Sequence, residues 1–307
     1  MFYEVSKLEK ITKSIDYDYS GLIKVIDEVC KKYPLLQRFS IGKSCAGREI
    51  IALKIKNACE YVLFAAAFHG SEHITSNVLM YFIEEFANAY INNAFLAGIK
   101  LKKALGGRGV IFVPCVNPDG CEISINNALG CGKEAGRIYK LSKGDFKHWN
   151  ANLRGVDINH NFDAGWKELN ALERKMGILG PAPTRFGGYA PESEPETLAI
   201  TSLCKEYNIH HAIALHAQGE VLYWNFNGYE PKTSKQMAEI MATTSGYALD
   251  VPVNIATGGG FRDWFMKQFS RPAFTVEVGK GENPLPIVQA DKIYDDIREM
   301  LTICTIM

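Results

Sequence analysis

Two histidines and two glutamates, far apart in the chain, have the types and neighbours that metal-assisted hydrolysis requires. His69-Gly70-Ser71-Glu72 sets an imidazole and a carboxylate three residues apart, His216 follows Ala214-Leu215, and Glu277 closes Phe274-Thr275-Val276. A catalytic zinc centre takes three protein ligands and keeps one position open for water. His69, Glu72 and His216 fit the ligand set, and Glu277 fits a base that takes a proton from the attacking water. Residues three apart point the same way where a helix begins. A rival reading exists, because His69-Gly70-Ser71-Glu72-His73 also matches H-x-x-E-H, in which both histidines bind zinc and the glutamate is the base. That motif belongs inside one helix, and Gly70-Ser71 directly after a strand-like run argues against it. A blander reading is a hydrogen-bonded core histidine and a glutamate that favours a helix dipole.

The surrounding pattern says how these residues are positioned. Tyr61 to Phe68 is a continuous apolar run, suited to a strand buried on both faces, and Glu72 to Ile91 has helical spacing. His69 therefore falls where a strand hands over to a helix, outside the carboxyl end of a strand, where open α/β sheets bind ligands. Arg38 to Gly42, Ile50 to Ile55, Gly109 to Val116, His210 to His216 and Pro272 to Val278 also read as strands. Helical spacing covers Tyr19 to Tyr33, Thr233 to Ser245 and Gln289 to Ile303. Ser193-Glu194-Pro195-Glu196 reads as a capping box opening a helix to about Tyr207. Gly120 to Ala190 reads as loop-rich and polar. No repeat or linker divides the chain, so residues 1–307 are expected to form one α/β domain with both sheet faces covered.

The 307 residues are 47% hydrophobic, with 34 basic and 34 acidic side chains. A zero net charge argues against a nucleic-acid binder, which usually carries a basic stripe. The longest apolar run is too short to span a bilayer, so no membrane partner is expected. Met1 to Lys7 does not read as a signal peptide. The eight cysteines form no C-x-x-C pair and read as reduced core residues of a cytoplasmic protein. The oligomeric state is not legible.

Further segments make the pattern specific. They are Gly42-Lys43-Ser44 with Gly47-Arg48-Glu49-Ile50, Val116-Asn117-Pro118-Asp119-Gly120, and Asn152 through Gly155-Val156-Asp157-Ile158-Asn159-His160-Asn161-Phe162. Leu215-His216-Ala217-Gln218-Gly219-Glu220, Gly258-Gly259-Gly260-Phe261-Arg262-Asp263-Trp264 and Glu277-Val278-Gly279 complete them. Taken in this order, the chain resembles the zinc carboxypeptidase family, within it the branch of γ-D-glutamyl-diaminopimelate peptidases. The resemblance implies a mixed, mostly parallel twisted sheet of about eight strands, with active-site loops mainly in 117–190 and 246–262. It implies one zinc ion per chain, held by His69, Glu72 and His216, with Glu277 as general base. Asp157 would accept a hydrogen bond from the first ligand histidine, fixing its tautomer and orientation.

The resemblance also suggests how substrate is held. Arg154 is the candidate donor to the carbonyl oxygen that gains charge, and Asn159 and His160 are candidate substrate contacts. The carboxypeptidases usually carry arginine where this chain has His160, and histidine cannot copy its bidentate fork. Arg262 aligns with the floor of the side-chain pocket, where it suits an acidic group such as the distal carboxylate of diaminopimelate. The family's closing tyrosine would fall near Ile255, and Tyr247 is too remote to take its place. The leading expectation is a peptidase acting on murein-derived peptides. A carboxypeptidase with acidic preference and a non-catalytic muropeptide binder are the alternatives.

Overall fold

The structure is a computed structural model, and it describes residues 10–251 and 257–307. In chain order the elements are α1 (Tyr19–Lys32), β1 (Leu36–Lys43), β2 (Glu49–Ile55), β3 (Tyr61–Ala66), α2 (Ile74–Ile91), β4 (Phe95–Leu96), β5 (Ile99–Lys100), α3 (Leu101–Ala104) and β6 (Gly109–Val113). There follow α4 (Pro118–Asn126), α5 (Ala135–Ser142), α6 (Trp166–Lys175), α7 (Pro195–Glu206), β7 (Ile209–His216), β8 (Val221–Tyr223), α8 (Ser234–Ser245), β9 (Ala248–Asp250), α9 (Phe261–Phe269), β10 (Ala273–Glu277) and α10 (Ala290–Cys304).

Eight strands form one sheet in the order β1-β2-β6-β3-β7-β10-β8-β9. The central pairs β6/β3, β3/β7 and β7/β10 are parallel, and the pairs β1/β2, β2/β6 and β10/β8 are antiparallel. The period of two in a strand sends alternate side chains to opposite faces, and β3 shows the result. Val62, Phe64 and Ala66 enter the core under α1, α2 and α10, while Tyr61, Leu63 and Ala65 enter the core under α7 and α9. Every residue of β3 is buried, which is why it reads as an unbroken apolar run.

One expectation needs correction. The capping box fails in its chemistry, although the helix starts where it should. The N-cap of α7 is Glu194, and it makes no side-chain cap bond. Ser193 Oγ instead donates to Glu194, and Glu196 accepts from the Cys45 N–H and Asn152. The stretch 120–190 is loop-rich as expected, more than half of it lying outside helices, although it also holds α5, α6 and most of α4. The strands β8 and β9 escaped the sequence because three residues are too few to show a period.

Candidate active site

The chain leaves β3 through Ala67, at φ 51°, and turns into a short 3-10 helix, Gly70–Glu72, with extended His69 before it. Gly70 must be glycine, because a Cβ there would overlap the Gly120 carbonyl and lie 2.5 Å from the Trp149 carbonyl oxygen. Asn117 braces the turn. Its Oδ1 accepts the Gly120 N–H as the cap of α4, and its Nδ2 donates to the carbonyls of Phe68 and Asn150. The Gly70 N–H donates to the Asn150 carbonyl, 3.1 Å away. His69 and Glu72 are thus set by backbone packing.

His216 ends β7, and Glu277 ends β10 as its direct partner in the parallel register. The Glu72 carboxylate lies between two imidazoles, with His69 Nδ1 2.8 Å from Oε1 and His216 Nδ1 3.0 Å from Oε2. The three ligand atoms all lie within 4.8 Å of one another. Behind His69, Nε2 lies 3.1 Å from Asp157 Oδ1. The other oxygen of Asp157 accepts from the Arg185 N–H at 2.8 Å and from Thr184 Oγ1 at 3.3 Å. His216 stacks on Phe68, and its rear Nε2 is buried without a protein acceptor. His73 contacts Asp16 instead of Glu72, which removes the H-x-x-E-H reading.

The electrostatics suit a cation. Burial opposes the charged form of His69, but Glu72 and Asp157 outweigh it and raise its pKa well above the usual range. Burial would raise Glu72, yet His69 and His216 hold it down at about 2. Burial lowers the pKa of His216, Glu72 opposes it, and the neighbouring His69 adds to the lowering. Glu277 goes the other way, pushed up to about 8 by burial and by the facing Glu72 carboxylate. Two nitrogens, one ionised carboxylate and an adjoining open cavity make the donor set of a catalytic zinc centre. Among the described residues, Cys45, Asp119 and Glu196 form a second compact group of metal-ligating types. Those carboxylates are already used: Asp119 binds Ser44, the Ala46 N–H and Arg48, and Glu196 binds the Cys45 N–H and Asn152.

Beside the cluster lies a cavity of about 150 Å³, lined by His69, His216, Glu277, Asn159, His160, Tyr223, Thr275, Arg262 and Asp263, with Gly258 and Gly260 as its wall. Asn159 Oδ1 accepts the Phe261 N–H, tying the turn at residues 158–160 to α9. Arg262, in the first turn of α9, is only 5% exposed. Its Nε donates to Asp263 Oδ1 at 2.7 Å, and its guanidinium lies 5.9 Å from the Tyr223 ring centre. An exposed helix-start arginine is therefore excluded.

The family's sequence profile, described as zinc carboxypeptidase, matches residues 22–302. The chain belongs to the zinc carboxypeptidase family. It is a metallopeptidase by that membership. It is 35% identical over 284 residues to gamma-D-glutamyl-L-diamino acid endopeptidase 1 of Lysinibacillus sphaericus, covering 92% of this chain and 70% of that one. Among solved structures, bovine thrombin-activatable fibrinolysis inhibitor in complex with tick carboxypeptidase inhibitor matches with a TM-score of 0.72 at 18% identity, over 95% of this chain and 97% of the other. Murein-tripeptide amidase MpaA of Escherichia coli O157 matches with a TM-score of 0.56 at 22% identity, over 86% and 91%. These two likenesses show the fold.

Within this family frame, most of the predicted residues converge and one does not. His69, Glu72, His216, Glu277, Asp157, Asn159, His160 and Arg262 surround one centre. Arg154 is elsewhere. Its side chain is 57% exposed and lies 3.6 Å from Glu194, on a separate cavity shared with Arg48 and Arg137. The reason is local: Asn152 Oδ1 accepts the N–H groups of Arg154 and Val156, and Gly155 turns at φ 78°. That tight loop aims residue 154 away from the metal cluster, so the carbonyl-donor role has no geometric support. Trp149 and Trp224 are core residues, and Trp166 anchors a loop through Gly187. The position near Ile255 expected for a closing tyrosine lies outside the described residues. Tyr223, Thr275 and Asp263 line the cavity without having been singled out; only the run before Trp264 carried a signal for Asp263.

Proposed function

We propose that the protein hydrolyses the γ-D-glutamyl-diaminopimelate amide bond of murein-derived peptides, using one zinc ion held by His69, Glu72 and His216. The observation that carries this reading is the buried Arg262 in a small cavity beside Glu277. A guanidinium in such a place recognises a carboxylate through charge-assisted hydrogen bonds. The Lysinibacillus relative is named for an L-diamino acid, and diaminopimelate is the diamino acid that carries a carboxylate at the far end of its side chain. Zinc, when bound, acidifies water and polarises a carbonyl.

The protein's own groups do the rest. Glu277 takes a proton from the attacking water and returns it to the leaving amine, a role suited to a carboxyl whose pKa is raised toward the working pH. Asp157 holds the His69 ring so that Nδ1 faces the cluster. Arg262, steadied by Asp263 and Tyr223, receives the distal carboxylate, and Asn159 and His160 line the same side. The eight cysteines are all free thiols, which supports a cytoplasmic location. No helix among the described residues is long and apolar enough to cross a membrane.

The test is direct. Zinc-loaded protein is incubated with L-Ala-γ-D-Glu-meso-diaminopimelate, and free diaminopimelate is sought by mass spectrometry. Release is expected. Cleavage only of an ordinary peptide ending in glutamate would instead identify a carboxypeptidase of acidic preference, and binding without turnover would identify a muropeptide-binding protein.

A further inference from the structure

A cavity of about 590 Å³ lies apart from the metal cluster, and its lining is basic. Arg48, Lys133, Arg137 and Arg154 line it, against Glu134 as the one carboxylate among its described lining residues. The whole chain balances 34 basic against 34 acidic side chains, so four cations to one carboxylate is a local excess. The two thiols in the lining do not offset it. Burial pushes Cys131 up to about 11, and burial together with Glu196 pushes Cys45 higher still, so both stay neutral.

Three separate segments supply the cations: Arg48 comes from the turn between β1 and β2, Lys133 and Arg137 from the start of α5, and Arg154 from the loop between α5 and α6. Arg48 Nη1 lies 2.8 Å from Asp119 Oδ1. Asp119 is wholly buried behind it and also accepts from Ser44 Oγ and the Ala46 N–H. Arg137 donates from Nε to Glu134 at 2.8 Å, from Nη1 to the Arg154 carbonyl at 3.3 Å, and from Nη2 to the Leu153 carbonyl. The carbonyls fix its plane without cancelling its charge. Arg154 Nη1 stops 3.6 Å from Glu194 Oε2, an oxygen that already accepts from Asn152 Nδ2 at 2.8 Å. Lys133 is exposed and acts on Glu134 more weakly than Arg137 does. Arg48 and Arg137 therefore brace loops as well as lining the cavity. Lys133 and Arg154 have no such structural task, yet they border the same space.

The backbone adds to this. Cys131 is right-handed, at φ −80° and ψ −18°, and Gly132 follows at φ 54°. That alternation turns successive N–H groups to one side, an arrangement that favours anions. A Cβ at residue 132 would meet nothing within 4 Å, so backbone handedness and not crowding accounts for glycine there.

We infer that this cavity is an anion site, separate from the hydrolytic centre, for a small molecule that carries a phosphate monoester. One guanidinium fork satisfies a carboxylate. A phosphate monoester brings about two charges and three acceptor oxygens, which match two braced guanidiniums together with the mobile point charge of a lysine. The phosphate occupies a fraction of the volume, and the rest receives the organic part of the ligand.

Isothermal calorimetry of the zinc-loaded protein with glycerol 2-phosphate at low salt tests this. One equivalent is expected to bind with a Kd of about 1 mM or tighter, weakening as sodium chloride screens the charges. Lys133→Glu and Arg154→Gln should each weaken binding about tenfold, the scale of one charge-assisted hydrogen bond. R262Q and E277Q should bind as the wild type does, and acetate should give no comparable heat. Absence of binding, equal affinity for acetate, or a loss confined to R262Q and E277Q would overturn the inference, the last by placing the phosphate at the metal cluster. Hydrogen–deuterium exchange of the wild type gives an answer even where a variant fails to fold. Glycerol 2-phosphate should slow exchange at residues 130–137 and 153–154, and slowing confined to residues 216–220 and 258–263 is incompatible with the site.

Discussion

Glu277 titrates well above the ordinary carboxylate range. Burial and Glu72 raise its pKa to about 8. The unfolded chain releases this proton near pH ~4 and the metal-free folded protein keeps it, so folding stability falls as pH rises from that point to about 8. Glu277→Gln removes the penalty. In chelator-treated protein the variant is expected to be more stable than wild type at pH 8.5 by on the order of 3 kcal/mol, and indistinguishable at pH 4, by denaturant titration. With zinc present, the same substitution should cut turnover by about 10²–10⁴-fold and leave one zinc bound, measured by atomic absorption. Asp157→Asn should weaken zinc about 10–100-fold, read by competition with a chromogenic chelator. The residues that converge on one centre, His69, Glu72, His216, Glu277 and Asp157, were legible in the sequence because each sits in a distinctive local motif. The buried Glu173 beside His160 was not, because a lone glutamate in an amphipathic helix looks like any solvated one. Arg154 misled because spacing along the chain does not reveal where a tight loop sends a side chain.

At the level of elements, the junction between β3 and α2 depends on close approach to α4. Gly70→Ala would drive a methyl group into the Gly120 and Trp149 carbonyls. We expect a loss of about 1–3 kcal/mol of stability and a larger proportional loss of zinc affinity, since Glu72 must shift; differential scanning calorimetry with and without zinc separates the two. Strands buried on both faces were easy to read, as were amphipathic helices such as α1 and α10. The helices α5 and α6 were hidden by the polar composition of 120–190, and α9 was missed as an element, although its first residues were recognised as a motif. Burial of Arg262 and Asp263 in that helix breaks the usual pattern for charged residues, as expected where a site overrides folding preference.

For the whole molecule, the alternation of strands and helices foretold an α/β architecture, while the order of the eight strands did not follow from periodicity. Binding that favours the native state stabilises it by mass action, so free zinc at a hundred times its dissociation constant should add about 2.7 kcal/mol. A chelator should reverse the shift in melting temperature, and a protein already lacking His69 and His216 should show none. Because positions 216 and 277 are partners across adjacent strands, the proposed ligand and the proposed proton carrier are separated by the pitch of a hydrogen-bonded sheet, ~4.8 Å. That spacing is common property of the backbone and is indifferent to the loops above it. Grafting new loops onto the rim could therefore redirect the scaffold toward other amides without retuning its reactive core.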